Sequence, residues 1–126
     1  MDKSQTLTPS EWPIMELLWE SPKTLMDLVS ALSQQTGWSK STVTTMVRRM
    51  DDKGLITFHT DGRTKIFRPT LSREEVTVRD AESLLQRAYN GSVGMLVSAM
   101  ASAKRLTRQD IAELYAVIKE AEENLQ

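Results

Sequence analysis

The sequence predicts a mainly α-helical chain with one small β-hairpin: an N-terminal domain followed by a C-terminal helical segment. Three observations lead there. Apolar residues recur at helical spacing in three successive segments within residues 9–53. Two β-rich runs, 55–60 and 64–68, flank Asp61-Gly62, a strong short-range hairpin signal. After Pro69 the helical spacing returns in three further segments.

The first helix spans roughly 9–20, with Trp12, Met15, Leu18 and Trp19 as its apolar stripe. "TPSE" at 8–11 reads as a capping box, with Thr8 as cap, Pro9 at the first position and Glu11 three on. Counted from Thr8, Pro13 would fall inside the helix and delete a hydrogen bond; counted from Ser10 it falls harmlessly in the first turn. The start is therefore open by two residues. "ESPK" at 20–23 reads as a turn.

The second helix covers about 25–35, with Leu25, Leu28, Val29 and Leu32 inward. Thr24 caps it and Asp27 completes the box. Gly37, in "TGW", suits the left-handed position after a helix. The third helix starts at the cap Ser39 and ends near Lys53, with Gly54 as terminator. Two helices joined by so short a link form a helix-turn-helix arrangement. The hairpin loop has two or three residues, so the strand register stays open. Three helices and then a hairpin is the order of a winged helix domain, assigned to residues 1–70.

Residues 71–126 form the helical segment. Ser72 and Glu75 cap its first helix, whose inner face is Ala81, Leu84, Leu85 and Ala88. Asn90-Gly91 breaks it. A short helix follows with Val93, Leu96, Val97 and Met100 on one face. The last helix is capped by Thr107 and Asp110 and carries Ile111, Leu114, Tyr115, Ile118 and Leu125. Three thin helices in about 55 residues bury little surface alone. A second copy would cover their stripes, and a two-fold dimer would hold two recognition helices ~34 Å apart, the spacing of a palindromic DNA site. Folding back onto the chain's own winged helix is the alternative.

Composition excludes several classes. The chain has 126 residues, 40% of them apolar, enough for a packed core. No run approaches eighteen apolar residues, so no transmembrane helix or membrane insertion is expected. The N-terminal "MDKSQTLTPSEW" lacks the apolar core of a signal peptide. Cysteine is absent, which rules out disulfides and thiolate metal sites and suits a cytoplasmic setting. His59 is the sole histidine and has no metal-ligand spacing around it. Trp12, Trp19 and Trp38 are read as core. No catalytic or nucleotide-binding motif is present, so neither an enzyme nor a cofactor is expected.

Net charge is only −1, but its distribution is uneven. Residues 1–37 carry −3 and residues 71–126 carry −2, whereas residues 38–70 hold seven basic side chains against three acidic, or +4. The third helix lies in that basic third. Val43, Met46, Val47 and Met50 face the core, leaving Lys40, Ser41, Thr42, Thr44, Thr45, Arg48 and Arg49 outward. A solvated face would favour Glu, Lys, Gln and Ala, yet no acid lies between Ser39 and Met50. Hydroxyls approach phosphates closely, threonine methyls can touch the thymine methyl, and arginine grips guanine or phosphate. Such a helix fits the DNA major groove. Arg63 and Lys65 at the hairpin tip can reach flanking phosphates, besides keeping an edge strand soluble. The rival function is a winged helix used for protein docking, its acidic ends facing a basic partner.

Three stretches sharpen the picture: "LTPSEWPIMELLWE", "SKSTVTTMVRRMDDKGLI" and "LLQRAYNGSVGMLVSAM". Together they resemble the penicillinase repressor (BlaI/MecI-type) family over about residues 6–125. The resemblance implies a dimeric transcriptional repressor of a palindromic operator, with residues 40–52 as recognition helix and 60–65 as wing. Control of β-lactam resistance or another stress-response operon would follow. The dimer contacts expected from the apolar stripes are Leu84, Leu85, Val93, Leu96, Val97, Met100, Ile111, Leu114, Tyr115 and Ile118. In the β-lactam systems a membrane sensor-protease pathway leads to cleavage between Asn and Phe, a pair that aligns here with Ala99 and Met100. That is a departure from the family pattern. Copper-responsive relatives carry Cys-x-Cys motifs, which this chain lacks.

Overall fold

Helix α1 is Trp12–Glu20, later than the sequence reading had it, and Thr8 is not its side-chain cap. Instead the Thr8 N–H donates to Glu11 Oε1 at 2.9 Å, and the Glu11 N–H donates back to the Thr8 carbonyl at 2.9 Å. Pro13 thus sits in the first turn, where a missing N–H removes no intrahelical bond. This computed structural model describes residues 6–125. The first residues of the N-terminal stretch discussed above lie outside that range.

The order continues with β1 (Lys23–Thr24), α2 (Leu25–Gln35), α3 (Lys40–Asp52), β2 (Ile56–Asp61), β3 (Thr64–Pro69), α4 (Arg73–Tyr89), α5 (Val93–Ser102) and α6 (Arg108–Asn124). Strand β1 replaces part of the expected turn. It pairs antiparallel with β3, Lys23 opposite Phe67 and Thr24 opposite Ile66, and the sheet order is β1-β3-β2. Asp61 pairs with Thr64, so the hairpin loop is the two residues Gly62-Arg63. Gly62 takes φ +65° at the first central position, where a primed hairpin turn demands glycine.

Two caps confirm how the helices are bounded. Thr24 and Asp27 form a reciprocal capping box on α2. At the end of α3, Gly54 takes φ +80°, its N–H reaches Asp51 O at 3.0 Å, and the Leu55 N–H reaches Met50 O at 2.9 Å. That Schellman arrangement brings Leu55 against Met50, both buried.

The described residues fall into two compact units, Met1–Ser83 and Leu84–Gln126. The first is built around Ile14, Met15 and Leu18 of α1, Leu28 and Leu32 of α2, and Val43, Val47 and Met50 of α3, closed by Ile56 and Phe67 of the hairpin. Trp12, Trp19, Trp38 and Met46 pack half-buried at its margin. The start of α4 belongs to this unit. Val76 is buried in the core, Trp19 Nε1–H donates to Leu71 O at 2.9 Å, and Arg73 pairs with Glu16 while lying over the Trp19 ring.

The second unit holds the rest of α4 with α5 and α6. No residue described after Val76 is fully buried. Leu85, Leu96, Val97 and Leu114 are half-covered, while Leu84, Val93, Met100, Ile111, Tyr115 and Ile118 are exposed. The expected inner face of α4 is accordingly open in a single chain: Ala81 and Ala88 are exposed as well. At the end of α5, Lys104 takes φ +57° without being glycine. The N–H groups of Ala103, Lys104 and Arg105 tie down the carbonyls of Ala99, Ala101 and Met100, each at 3.0 Å.

Candidate nucleic-acid interface

Helix α3 begins with a cluster of hydroxyls. Ser39 Oγ accepts the Thr42 N–H at 3.2 Å, and the Ser41 and Thr42 hydroxyls lie 3.2 Å from that same oxygen. Thr44 donates its hydroxyl proton back to Lys40 O at 2.8 Å. Its methyl and oxygen lone pairs remain for outside contacts. Lys40, Ser41, Thr42, Thr45, Arg48 and Arg49 are exposed, and Thr44 is half-exposed. The apolar stripe on the other side (Val43, Val47, Met50) holds this face outward.

Between α3 and the hairpin lies a concavity of about 650 Å³. Thr44, Val47, Arg48 and Asp51 form one wall; Phe58, Arg63, Thr64, Lys65 and Phe67 form the other; Thr24, Leu25 and Met26 close it from the start of α2. Four residues singled out from sequence therefore meet around one groove: Thr44, Arg48, Arg63 and Lys65. Lys40, Ser41, Thr42, Thr45 and Arg49 share the exposed surface of α3 without lining the groove. Thr24, Met26 and Asp51 are additions. Thr24 was legible only as a cap, and nothing in the sequence singled out Met26.

The basic side chains of the middle third are not equivalent. Lys53 is bound at 2.6 Å to Glu11, and Arg68 Nη2 lies 2.8 Å from His59 Nδ1. Arg48, Arg63 and Lys65 make no ion pair among the described residues. Lys65 Nζ sits 4.5 Å from the centre of the Phe58 ring, a cation–π contact that holds it at the groove. Three such cations against one acid, Asp51, make the groove attractive to anions.

Two further groups of sequence-selected residues lie in the second unit. The ten apolar residues read as dimer contacts occupy α4, α5 and α6. Ala99, half-buried, and Met100 lie inside α5. Among the described residues no group of three His, Asp or Glu side chains could hold a metal ion, and no helix is long and apolar enough to cross a membrane.

Comparison with known proteins gives a consistent result. A family model described as penicillinase repressor matches residues 7–120. The penicillinase repressor of Bacillus licheniformis is 27% identical over 121 residues, covering 95% of this chain and 94% of that protein. The solution structure of the DNA-binding domain of the repressor BlaI superposes with TM-score 0.53 at 25% identity, covering 60% of this chain and 93% of that one. The monomeric form of B. licheniformis BlaI, solved in complex with the blaP half-operator, gives TM-score 0.52 at 26% identity over the same shares.

Proposed function

The chain belongs to the penicillinase repressor family, DNA-binding transcriptional repressors rather than enzymes, and on that premise we propose that it is a homodimeric repressor of a palindromic operator. Helix α3 enters the major groove, with Lys40, Ser41, Thr42, Thr44, Thr45, Arg48 and Arg49 as its contact set. Arg63 and Lys65 on the hairpin hold flanking phosphates. The observation that carries the reading is the groove itself, where Thr44 and Arg48 on α3 and Arg63 and Lys65 on the hairpin line one surface and the three cations have no acidic partner among the described residues.

The apolar residues of α4–α6 that one copy leaves open are the dimer surface. Pairing them doubles the phosphate contacts and fixes the half-site spacing. The regulated genes belong to β-lactam resistance or another stress-response operon, and the protein works in the cytoplasm. Release by a sensor-protease pathway would act at Ala99–Met100, where the family's Asn-Phe pair is replaced.

Fluorescence anisotropy with the chain's own upstream DNA tests the reading. Affinity should fall steeply with added salt, and Arg48→Ala should weaken binding by about tenfold or more while flattening the salt slope. Binding that is indifferent to salt, or unchanged after Thr44 and Arg48 are both replaced, would favour a protein-docking role instead.

A further inference from the structure

We propose that the groove between α3 and the hairpin is also a binding site for a small anionic amphiphile, an aromatic or alkyl carboxylate, whose occupancy excludes DNA. Phosphates explain its cations but not its floor. Leu25 and Phe58 are half-exposed there, and Met26 at the rim is 56% exposed. An apolar floor among three cations that make no ion pair among the described residues is more than the phosphate contacts assigned to Arg63 and Lys65 call for. It is well matched to a molecule with an apolar body and one negative end.

The size agrees: about 650 Å³ lies within the range of small-molecule sites. Charge sets the orientation. Asp51, the one acid in the lining, stands on the α3 wall, so a carboxylate is drawn to Arg63 and Lys65 on the hairpin, leaving the ligand's body over Phe58 and Met26. A ligand so placed covers both hairpin cations and fills the space that faces Arg48. Binding alone rests on the groove's chemistry; its exclusion of DNA rests on the reading of α3 above.

The test uses the full chain with 2-naphthoate as probe and 2-naphthol as its neutral counterpart. Methyl NMR should show saturable shifts at Met26 and Val47, with naphthol at least about tenfold weaker. Met26→Gln should weaken naphthoate by about fivefold, and Arg63→Glu with Lys65→Glu should abolish the shifts in a chain whose circular dichroism is unchanged. Naphthoate should release a labelled mixed-sequence duplex at low salt, with a midpoint tracking its own affinity. Shifts confined to methyls of α4–α6, none at millimolar naphthoate, or equal affinity for naphthol would each overturn the proposal while leaving DNA binding intact. Naphthoate seated in the groove without releasing DNA would overturn the exclusion and, with it, the place of the groove in DNA contact.

Discussion

Glu11 is 3% exposed, and both of its carboxylate oxygens are used: one accepts the Thr8 N–H, the other Lys53 Nζ at 2.6 Å. It therefore ties the entry of α1 to the exit of α3. Removing one partner of a buried pair strands the other. Because Lys53 keeps 34% of its side-chain exposure, the loss is moderated. Glu11→Ala should cost about 2 kcal/mol in urea denaturation; a loss below ~0.5 kcal/mol would show that solvent already satisfies Lys53. Sequence revealed one side of this arrangement. The outward hydroxyls and arginines of α3 were legible because helical period separates them from Val43, Val47 and Met50. The Lys53 pairing was not, since its partner lies 42 positions away. Nor was the place of Met26 in the groove lining, which depends on Phe58 and Lys65 being brought to the same concavity.

Helix ends were the best-read elements, because capping is local chemistry. Thr24–Asp27 and Thr107–Asp110 form reciprocal boxes, and Ser72 and Glu75 exchange the same pair of bonds. The Thr24 N–H, then its side chain, hold the Asp27 carboxyl below the usual carboxylate range; Ser72 does the same, in the same order, for Glu75. A carboxyl depressed in the folded state contributes stability above its unfolded pKa and loses it as pH falls through the folded value. Acid titration followed by circular dichroism should therefore show weakening only below about pH 4. Asp27→Asn should flatten that loss, and Thr24→Ala should cost about 1 kcal/mol at neutral pH. Identical acid profiles for Asp27→Asn and the parent chain would remove the α2 box from the account. Strand β1 escaped the sequence because two residues give no alternation to detect. The hairpin was visible, but its register needed the Asp61–Thr64 pairing to fix it.

For the whole molecule, periodicity told which faces of α4–α6 are apolar but not what lies against them. Helices with the stripes of a core are left with Tyr115 73% and Ile118 54% exposed. Replacing Leu114 and Ile118 by glutamine should convert a sedimenting dimer into monomers and weaken binding to a two-fold DNA site far more than to half of it. A parent chain that sediments as a monomer would refute the dimer. The wound end of α5 bears on how long such a repressor persists. The carbonyls of Ala99 and Met100 are held by the N–H groups of Ala103 and Arg105, on either side of a lysine in a left-handed conformation. A peptidase acting at the proposed Ala99–Met100 site would need an opened chain, so its access would follow the population of the opened form. Left-handed backbone burdens a non-glycine residue by about 1 kcal/mol, which weakens this last turn. Under the proposed release at Ala99–Met100, turnover would be timed by the breathing of a single helical turn, a clock located in the substrate.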